Sequence, residues 1–539
     1  MEPQHAIALP RVDAPLSRGR SYPGLAGLEA GGGRSGAADA ATYTVAVYTA
    51  QLLLFVGGVL QKRLLGPNGA GYWALMTTFA LVLNLAPLGA VDGAGRQIPF
   101  HRGRGDHAGA AAIADTSSSF GLAATTLAGL VGAAVAVAFG SGWSPEIRYG
   151  IVLLGVIAPL GELRDAHDGI MQATKRFRVT SIVVIVQAVV TITLQTLLVA
   201  LAGYYGMFAG QVVIALSALL VWNRLGLTSI SRPAFRWRIE RRRLRELIHF
   251  GLPMMLQGQL WVLFLAIDNL IVAGFLSVTE LGYYALACSA TTYVMLLPKG
   301  VGGALGPRMA ERYGATQDAG WVGSYGAEVQ RVLGYVLIPL LVGAAFYLMP
   351  VLIRHALPAF LPAIPVLRIV VAGSFFISLT TIPIKVLLTS GYRWSVTVIT
   401  LVALGFNALV NYIAVAVLHD GLKGAAVAVA ISYFGAFAAM TTFAEARTRS
   451  VRSAVRTLIA IILAFAYLSA AMWTIEMLFG ASAPGLVPDA LLGLLKLAVL
   501  TVTLSPWMFL IERRSGAIST SASMLNAAVA KLKDRRRHE

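Results

Sequence analysis

Five charged side chains stand inside or at the edge of long apolar runs, where a lone ion costs at least ~2.5–3.5 kcal/mol on insertion scales. Lys496 falls near the middle of its run, and Arg368 lies about one turn inside another. Lys299 and Asp268 lie near the ends of two more, and Arg63 follows the first run directly. Cations at such depth can hold an anion, arginine in a bidentate manner. The plainer alternatives are that Arg368, Lys299 and Lys385 extend to an interface, and that Asp268 pairs with an arginine such as Arg63. Amides are plentiful: Gln187, Gln195, Gln211, Gln257, Gln259, and Asn407 with Asn411, four apart on one helical face. They can bond helix to helix, at about 0.6–2 kcal/mol each, or line a wet passage. The run GELRDAHDG sets Glu162, Asp165 and Asp168 at i, i+3 and i+6. Ion pairing with Arg164 and loop arginines explains it more simply than a metal or proton site.

These residues belong to a chain of 539, of which 57% are hydrophobic and only 13% charged. Soluble domains carry about 25% charged residues, so a cytosolic enzyme, a secreted disulfide scaffold and a disordered chain are excluded. A helix of about 20 residues crosses a ~30 Å hydrocarbon core. Apolar runs of that order occur at 43–62, 71–91, 113–140, 149–172, 180–202, 204–223, 247–273, 282–303, 329–353, 364–388, 395–418, 421–443, 457–480 and 486–511. Helices satisfy their own backbone groups in lipid, and the ~10-residue alternating stretches of a β-barrel do not occur. The expected fold class is all-α: a polytopic membrane protein of about fourteen transmembrane helices. Gly66-Pro67 is loop punctuation between the first two. Cys288 is the single cysteine, which excludes an intrachain disulfide and argues against a thiolate metal site.

Lys and Arg number 43 against 25 Asp and Glu, a net charge of +18. Fourteen crossings put both termini on one side. If that side is the cytoplasm, 36 of the 43 basic residues fall on inner segments and five on outer ones, with Arg368 and Lys496 in the membrane. The positive-inside rule thus accounts for the charge without nucleic acid. Residues 1–42 lack a signal-peptide core and read as a flexible cytoplasmic tail. The linker RPAFRWRIERRRLRELIHF reads as a basic amphipathic segment on anionic headgroups. Ile518, Ala522, Leu525, Val529 and Leu532 suggest another surface helix before a basic C-terminus. Outer loops of about a dozen residues or fewer leave no room for an external domain.

The two halves repeat. Gly71-Tyr72-Trp73-Ala74-Leu75 matches Gly282-Tyr283-Tyr284-Ala285-Leu286 at an offset of 211. MQATKRFRV (171–179) then matches LTSGYRWSV (388–396) near 217, and Gly206 and Ala209 match Gly421 and Gly424 at 215. Each unit holds six helices, so the halves share an orientation, as parallel repeats do. The organisation expected is a bundle over 43–223, a basic linker over 224–246 and a second bundle over 247–443. Two extra helices over 444–511 and a basic tail over 512–539 complete it.

RLLGPNGAGYWAL resembles the R-L-L-G-P-x-x-x-G-x-Y/W signature of bacterial polysaccharide flippases, Wzx-like members of the multidrug/oligosaccharidyl-lipid/polysaccharide exporter superfamily. FGLPMMLQGQLWVLFLAIDNLIVAGFLSVTELGYYALA resembles the start of that family's second bundle, and GLKGAAVAVAISY its twelfth helix. The likeness runs from about residue 40 to 445. It implies two six-helix bundles that carry a polyprenyl-pyrophosphate-linked oligosaccharide from the cytoplasmic to the outer leaflet of the bacterial plasma (inner) membrane by alternating access. No covalent chemistry and no cofactor are implied; the partners are the lipid-linked substrate, the bilayer and other polysaccharide-assembly proteins. On this reading Arg63, Lys299, Arg368 and Lys496 attract the pyrophosphate in a hydrated, cation-lined chamber. Asp268 holds a partner and closes a gate, while Gln187, Gln257, Asn407 and Asn411 line the glycan passage. The extra helix pair is similar to that of the lipid II flippase branch, which is the first alternative. A cation-coupled multidrug antiporter is the second, although 43–62 lacks the acid such exporters often carry in their first helix. A membrane-embedded polymerase or ligase is the third, and it lacks an outer loop for its catalytic residues. No Walker A or dinucleotide fingerprint is present, so the drive would be an ion gradient, the membrane potential or removal of product.

Overall fold

The computed structural model describes residues 26–173, 177–224 and 237–515. The first 25 residues, most of the basic linker and the amphipathic C-terminal run from 516 lie outside this set. Among the described residues every regular element is helical.

The first half holds α1 (Ala26–Leu83), α2 (Ala90–Gly103), α3 (His107–Phe139), α4 (Pro145–Ala173), α5 (Phe177–Val190) and α6 (Thr196–Arg224). The second holds α7 (Arg241–Phe264), α8 (Ile267–Phe275), α9 (Val278–Thr316), α10 (Ala319–Val332), α11 (Ile338–Ala356), α12 (Ala363–Leu379), α13 (Thr381–Thr389), α14 (Arg393–Tyr412) and α15 (Gly421–Thr448). The additional pair is α16 (Val451–Phe479) and α17 (Leu486–Ser515).

Among the described residues, 10 helical stretches are long and apolar enough to cross a membrane. Two of these are each two passes joined at a non-helical glycine, Gly66 in α1 and Gly203 in α6. With α4 and α9, long enough at 29 and 39 residues, the fourteen expected passes are accounted for. Their ends differ from the apolar runs in informative ways. The stretch read as a tail is already helical from Ala26, although the glycines at 27, 31–33 and 36 disfavour helix. The second pass stops at Leu83, turns through 84–89 and resumes as α2. Pro87 disfavours helix at the residue before it, and Gly89 (φ 76) sits in the left-handed region. The seventh pass breaks between α7 and α8, and the tenth at Thr380. Passes five, nine and eleven each contain a five-residue π-helical turn, at Thr191–Gln195, Leu333–Leu337 and Ile413–Val417.

The main hydrophobic core fills the second half, where Phe375, Phe376 and Phe437 pack ring to ring, and it reaches α1 through Ala70, Ala74 and Met76. The first half has smaller satellites around Ile98 and Ile113 and around Val183 and Trp222. The arginine-rich turns gather at one end of the molecule, called here the basic end. There Arg243 donates to the Gly109 carbonyl and the Arg238 N–H to the Ser119 hydroxyl, tying the linker's exit to α3.

The repeat is visible in the seam between the halves. Near the opposite end α1 crosses α9 with backbones in contact: a Cβ on Gly71 would overlap the Val278 carbonyl, and one on Gly282 would overlap the Pro67 carbonyl. The matched glycines thus make matched contacts, as a pseudo-two-fold axis requires. Near the basic end α2 lies on α7, where Gly89 and Gly251 oppose each other and Gly93 meets the Leu247 carbonyl.

Candidate functional site

The expected residues do not converge. Lys496, 3% exposed, is sealed in protein: its ammonium donates to Glu476 Oε2 at 2.8 Å and to the Gly480 carbonyl. Arg368 pairs with the other oxygen of Glu476 and lies over the Phe346 ring at 5.2 Å. A second cluster joins α17 to α11. Arg354 grips Asp489 through two bonds of 2.8 and 2.9 Å, and His355 Nε2 lies 3.1 Å away. Both clusters fasten the α16–α17 pair to α11 and α12. Two cations expected in a chamber are therefore neutralised within the second half, because a buried charge is tolerable only when paired.

Asp268 opens α8 just after the break in the seventh pass and is 1% exposed. Its partners are Tyr284, whose hydroxyl donates to Oδ2, and Cys288, with Sγ at 3.8 Å. It does not pair with Arg63, which is exposed at the far end of α1's first pass. The break frees the Phe264 carbonyl, which accepts from Asn407 Nδ2 at 2.8 Å; Asn411 Nδ2 donates to Asn407 Oδ1 at 2.6 Å. These amides repair a broken helix inside the second half. Asp268 Oδ1, Asn269 Oδ1 and Asn411 Oδ1 are left buried without partners. Among the described residues no group of three or more His, Cys, Asp or Glu is placed to bind a metal.

Two openings lie between the halves. One holds Lys62, the neighbour of the residue singled out from sequence. Its stem lines a narrow crevice of about 20 Å³ with Phe55 and Val59 of α1, Ser289 and Tyr293 of α9, and Ile353 and Leu367. Among the described residues Lys62 has no carboxylate partner. The other is a cavity of about 890 Å³ at the basic end, walled by α2, α4 and α7. Its charges are Asp92, Glu162, Asp165 and Asp168 against Arg96, and Gln172 and Gln259 add amides. The expected cation-lined chamber is therefore mostly acidic at this end. Arg164 pairs with Asp165 at 2.9 Å, as the sequence suggested, while Asp168 Oδ1 is buried without a partner. Lys299 is exposed on α9, next to Gly300, where an added Cβ would overlap the Tyr48 hydroxyl of α1. Gln187 and Gln257 are half-buried, with Gln187 Nε2 unpartnered.

Sequence reasoning missed Lys62 and Asp92, which fall at the edges of apolar runs and were counted with the loops. Helical phase could have separated Lys62 from Arg63, since successive residues point about 100° apart. Glu476 was missed for another reason: its partners are more than a hundred residues upstream and twenty downstream.

Residues 60–357 match the model of a family described as polysaccharide biosynthesis protein. No curated protein sequence matches the chain. Among solved structures, the lipid II flippase MurJ in an inward closed conformation aligns at a TM-score of 0.61 and 12% identity, covering 88% of this chain and 99% of that one. An inward-facing multidrug resistance MATE family transporter of the MOP superfamily aligns at 0.58 and 15%, covering 78% and 96%. The Vibrio cholerae MATE transporter VcmN in its bent form aligns at 0.50 and 14%, covering 78% and 99%. At these identities the likeness is one of fold.

Proposed function

The chain belongs to the polysaccharide biosynthesis protein family, and from that footing we propose that it is a flippase. It carries a polyprenyl-pyrophosphate-linked oligosaccharide between the leaflets of a bacterial inner membrane, with the basic end in the cytoplasm. The observation that carries this reading is the seam. Two like-oriented halves touch through reciprocal glycine contacts at one end, and a cavity of about 890 Å³ opens between them at the other. Rocking about such a contact exposes a shared cavity first to one side and then to the other, and no covalent bond is made or broken.

Within this scheme the bundles are 43–223 and 247–443, and 444–511 is docked on the second. Lys62, Arg63, Arg96 and Lys299 are the cations within reach of the inter-half path, and they guide the diphosphate. Arg368 and Lys496 build the second half instead. The amides Gln172, Gln187, Gln257 and Gln259 offer hydrogen bonds to sugar hydroxyls. Asp268, with the orphan oxygens around the broken seventh pass, is the proposed seat of a coupling cation. The test is complementation in a cell whose surface polysaccharide depends on this chain. Lys62→Gln is expected to leave protein level normal, lower export several-fold and accumulate lipid-linked oligosaccharide. Normal export with all four cations neutralised removes the assignment.

The four carboxylates of the cavity favour one second reading, a cation-coupled exporter of cationic compounds. It predicts resistance to cationic drugs that is lost in Asp92→Asn and Glu162→Gln, with polysaccharide export untouched.

A further inference from the structure

In the second half, at the basic end, the first turn of α10 faces the turn between α15 and α16 across an open groove of about 610 Å³. Arg452 and Arg456, one turn apart at the start of α16, both line it and are exposed. Neither has a carboxylate partner among the described residues. Arg449, also in the groove, is held at 2.9 Å by the buried Glu445. Glu445 also accepts from Ser453 Oγ on the same oxygen and from Thr457 Oγ1 on the other at 2.8 Å. Among the described residues neither Arg452 nor Arg456 pairs with it. The one acid lining the groove, Asp318, is committed as the cap of α10 through the Trp321 N–H at 2.9 Å.

The arrangement works against the protein's own electrostatics. Like charges at i and i+4 on a helix repel, and these two stand at the positive end of the α16 dipole. The N-terminus of α10 opens into the same space, and the Ser324 hydroxyl adds a donor. A preference for basic residues on one side of a membrane explains their number, but not their convergence on one groove that two helix starts share. We propose that this groove binds a phosphate-type anion, gripped by Arg452 and Arg456 with Arg449 and Ser324 at its margin. Arginine pairs match two phosphate oxygens at once. The same chemistry is offered by an anionic phospholipid headgroup, abundant at a cytoplasmic surface, and by a soluble phosphate compound.

The test uses the full-length chain in neutral detergent, with thermal unfolding followed by tryptophan fluorescence. Phosphatidylglycerol, phosphatidylcholine or inorganic phosphate is titrated in. Arg452→Gln/Arg456→Gln is compared with Arg102→Gln/Arg104→Gln, which removes two arginines from the end of α2, and with Ser324→Glu, which puts an anion into the groove. Wild type and the α2 variant are expected to be stabilised by an anionic titrant. The groove variant and Ser324→Glu should respond about tenfold more weakly, the scale of one charge-assisted bond. Stabilisation by phosphatidylglycerol alone assigns the headgroup; stabilisation by inorganic phosphate assigns a soluble ligand. Equal responses in wild type and both groove variants, or no response in wild type, overturn the proposal.

Discussion

Glu476 shows how a single residue sets the meaning of its neighbours. It neutralises Arg368 and Lys496 together, so Glu476→Gln leaves two cations in a buried site. Removing one partner of a buried pair costs about 3–5 kcal/mol. Thermal unfolding of purified Glu476→Gln should therefore show a large drop in midpoint, whereas Lys496→Met, which keeps the Arg368 pair, should drop far less. Equal, small losses would place both cations in water and restore them as candidates for the substrate. The sequence marked Lys496 as anomalous but could not reveal its partner. Depth in a membrane is legible from one helix, while pairing depends on which helices become neighbours. Asp268 carries the same lesson, because its partners Tyr284 and Cys288 are on the next pass, not on the arginine-bearing loop.

At the scale of elements, the crossing of α1 and α9 is the joint on which the proposed rocking depends. A Cβ on Gly71 or Gly282 would overlap backbone rather than a movable side chain, so Gly71→Ala and Gly282→Ala should each part the halves there. Spin labels at Leu64→Cys and Phe275→Cys in a Cys288→Ser background report the separation. Longer distances in both variants are expected, and unchanged distances would refute the hinge. A smaller element obeys ordinary capping. Asp106 caps α3 through the Gly109 N–H at 2.7 Å, with His101 Nδ1 2.8 Å away. The bond to His101, then that N–H, hold its carboxyl below the usual range. The cap's contribution is therefore fully present above the ordinary carboxylate range and lost as pH falls through the lowered native value. Hydrogen-exchange protection factors over 107–111 should fall with acid there, and Asp106→Ala should abolish the dependence. Element number and kind were readable from apolar run length. The break at 84–89 carries its own signal in Pro87 and Gly89, but those at 265–266 and 380 were not readable, because they lie inside apolar runs where packing, not polarity, decides them.

Across the whole molecule, α16 and α17 are structural members of the second half, although the repeat leaves them out. A truncation after residue 450 removes Glu476 and Asp489 and strands Arg354 and Arg368, so it should fail to accumulate. Adding Arg354→Gln and Arg368→Leu should recover part of the protein, as judged by membrane-fraction blotting. The proposed passage of a lipid-linked diphosphate sugar from leaflet to leaflet is tested most directly in proteoliposomes holding only this chain and a labelled polyprenyl-diphosphate oligosaccharide, with a membrane-impermeant glycan-binding lectin outside. The lectin-accessible share is expected to climb from the outer-leaflet fraction toward all of the label, several-fold more slowly with Lys62→Gln. A share that stays at its starting value in vesicles of folded wild-type protein would contradict it.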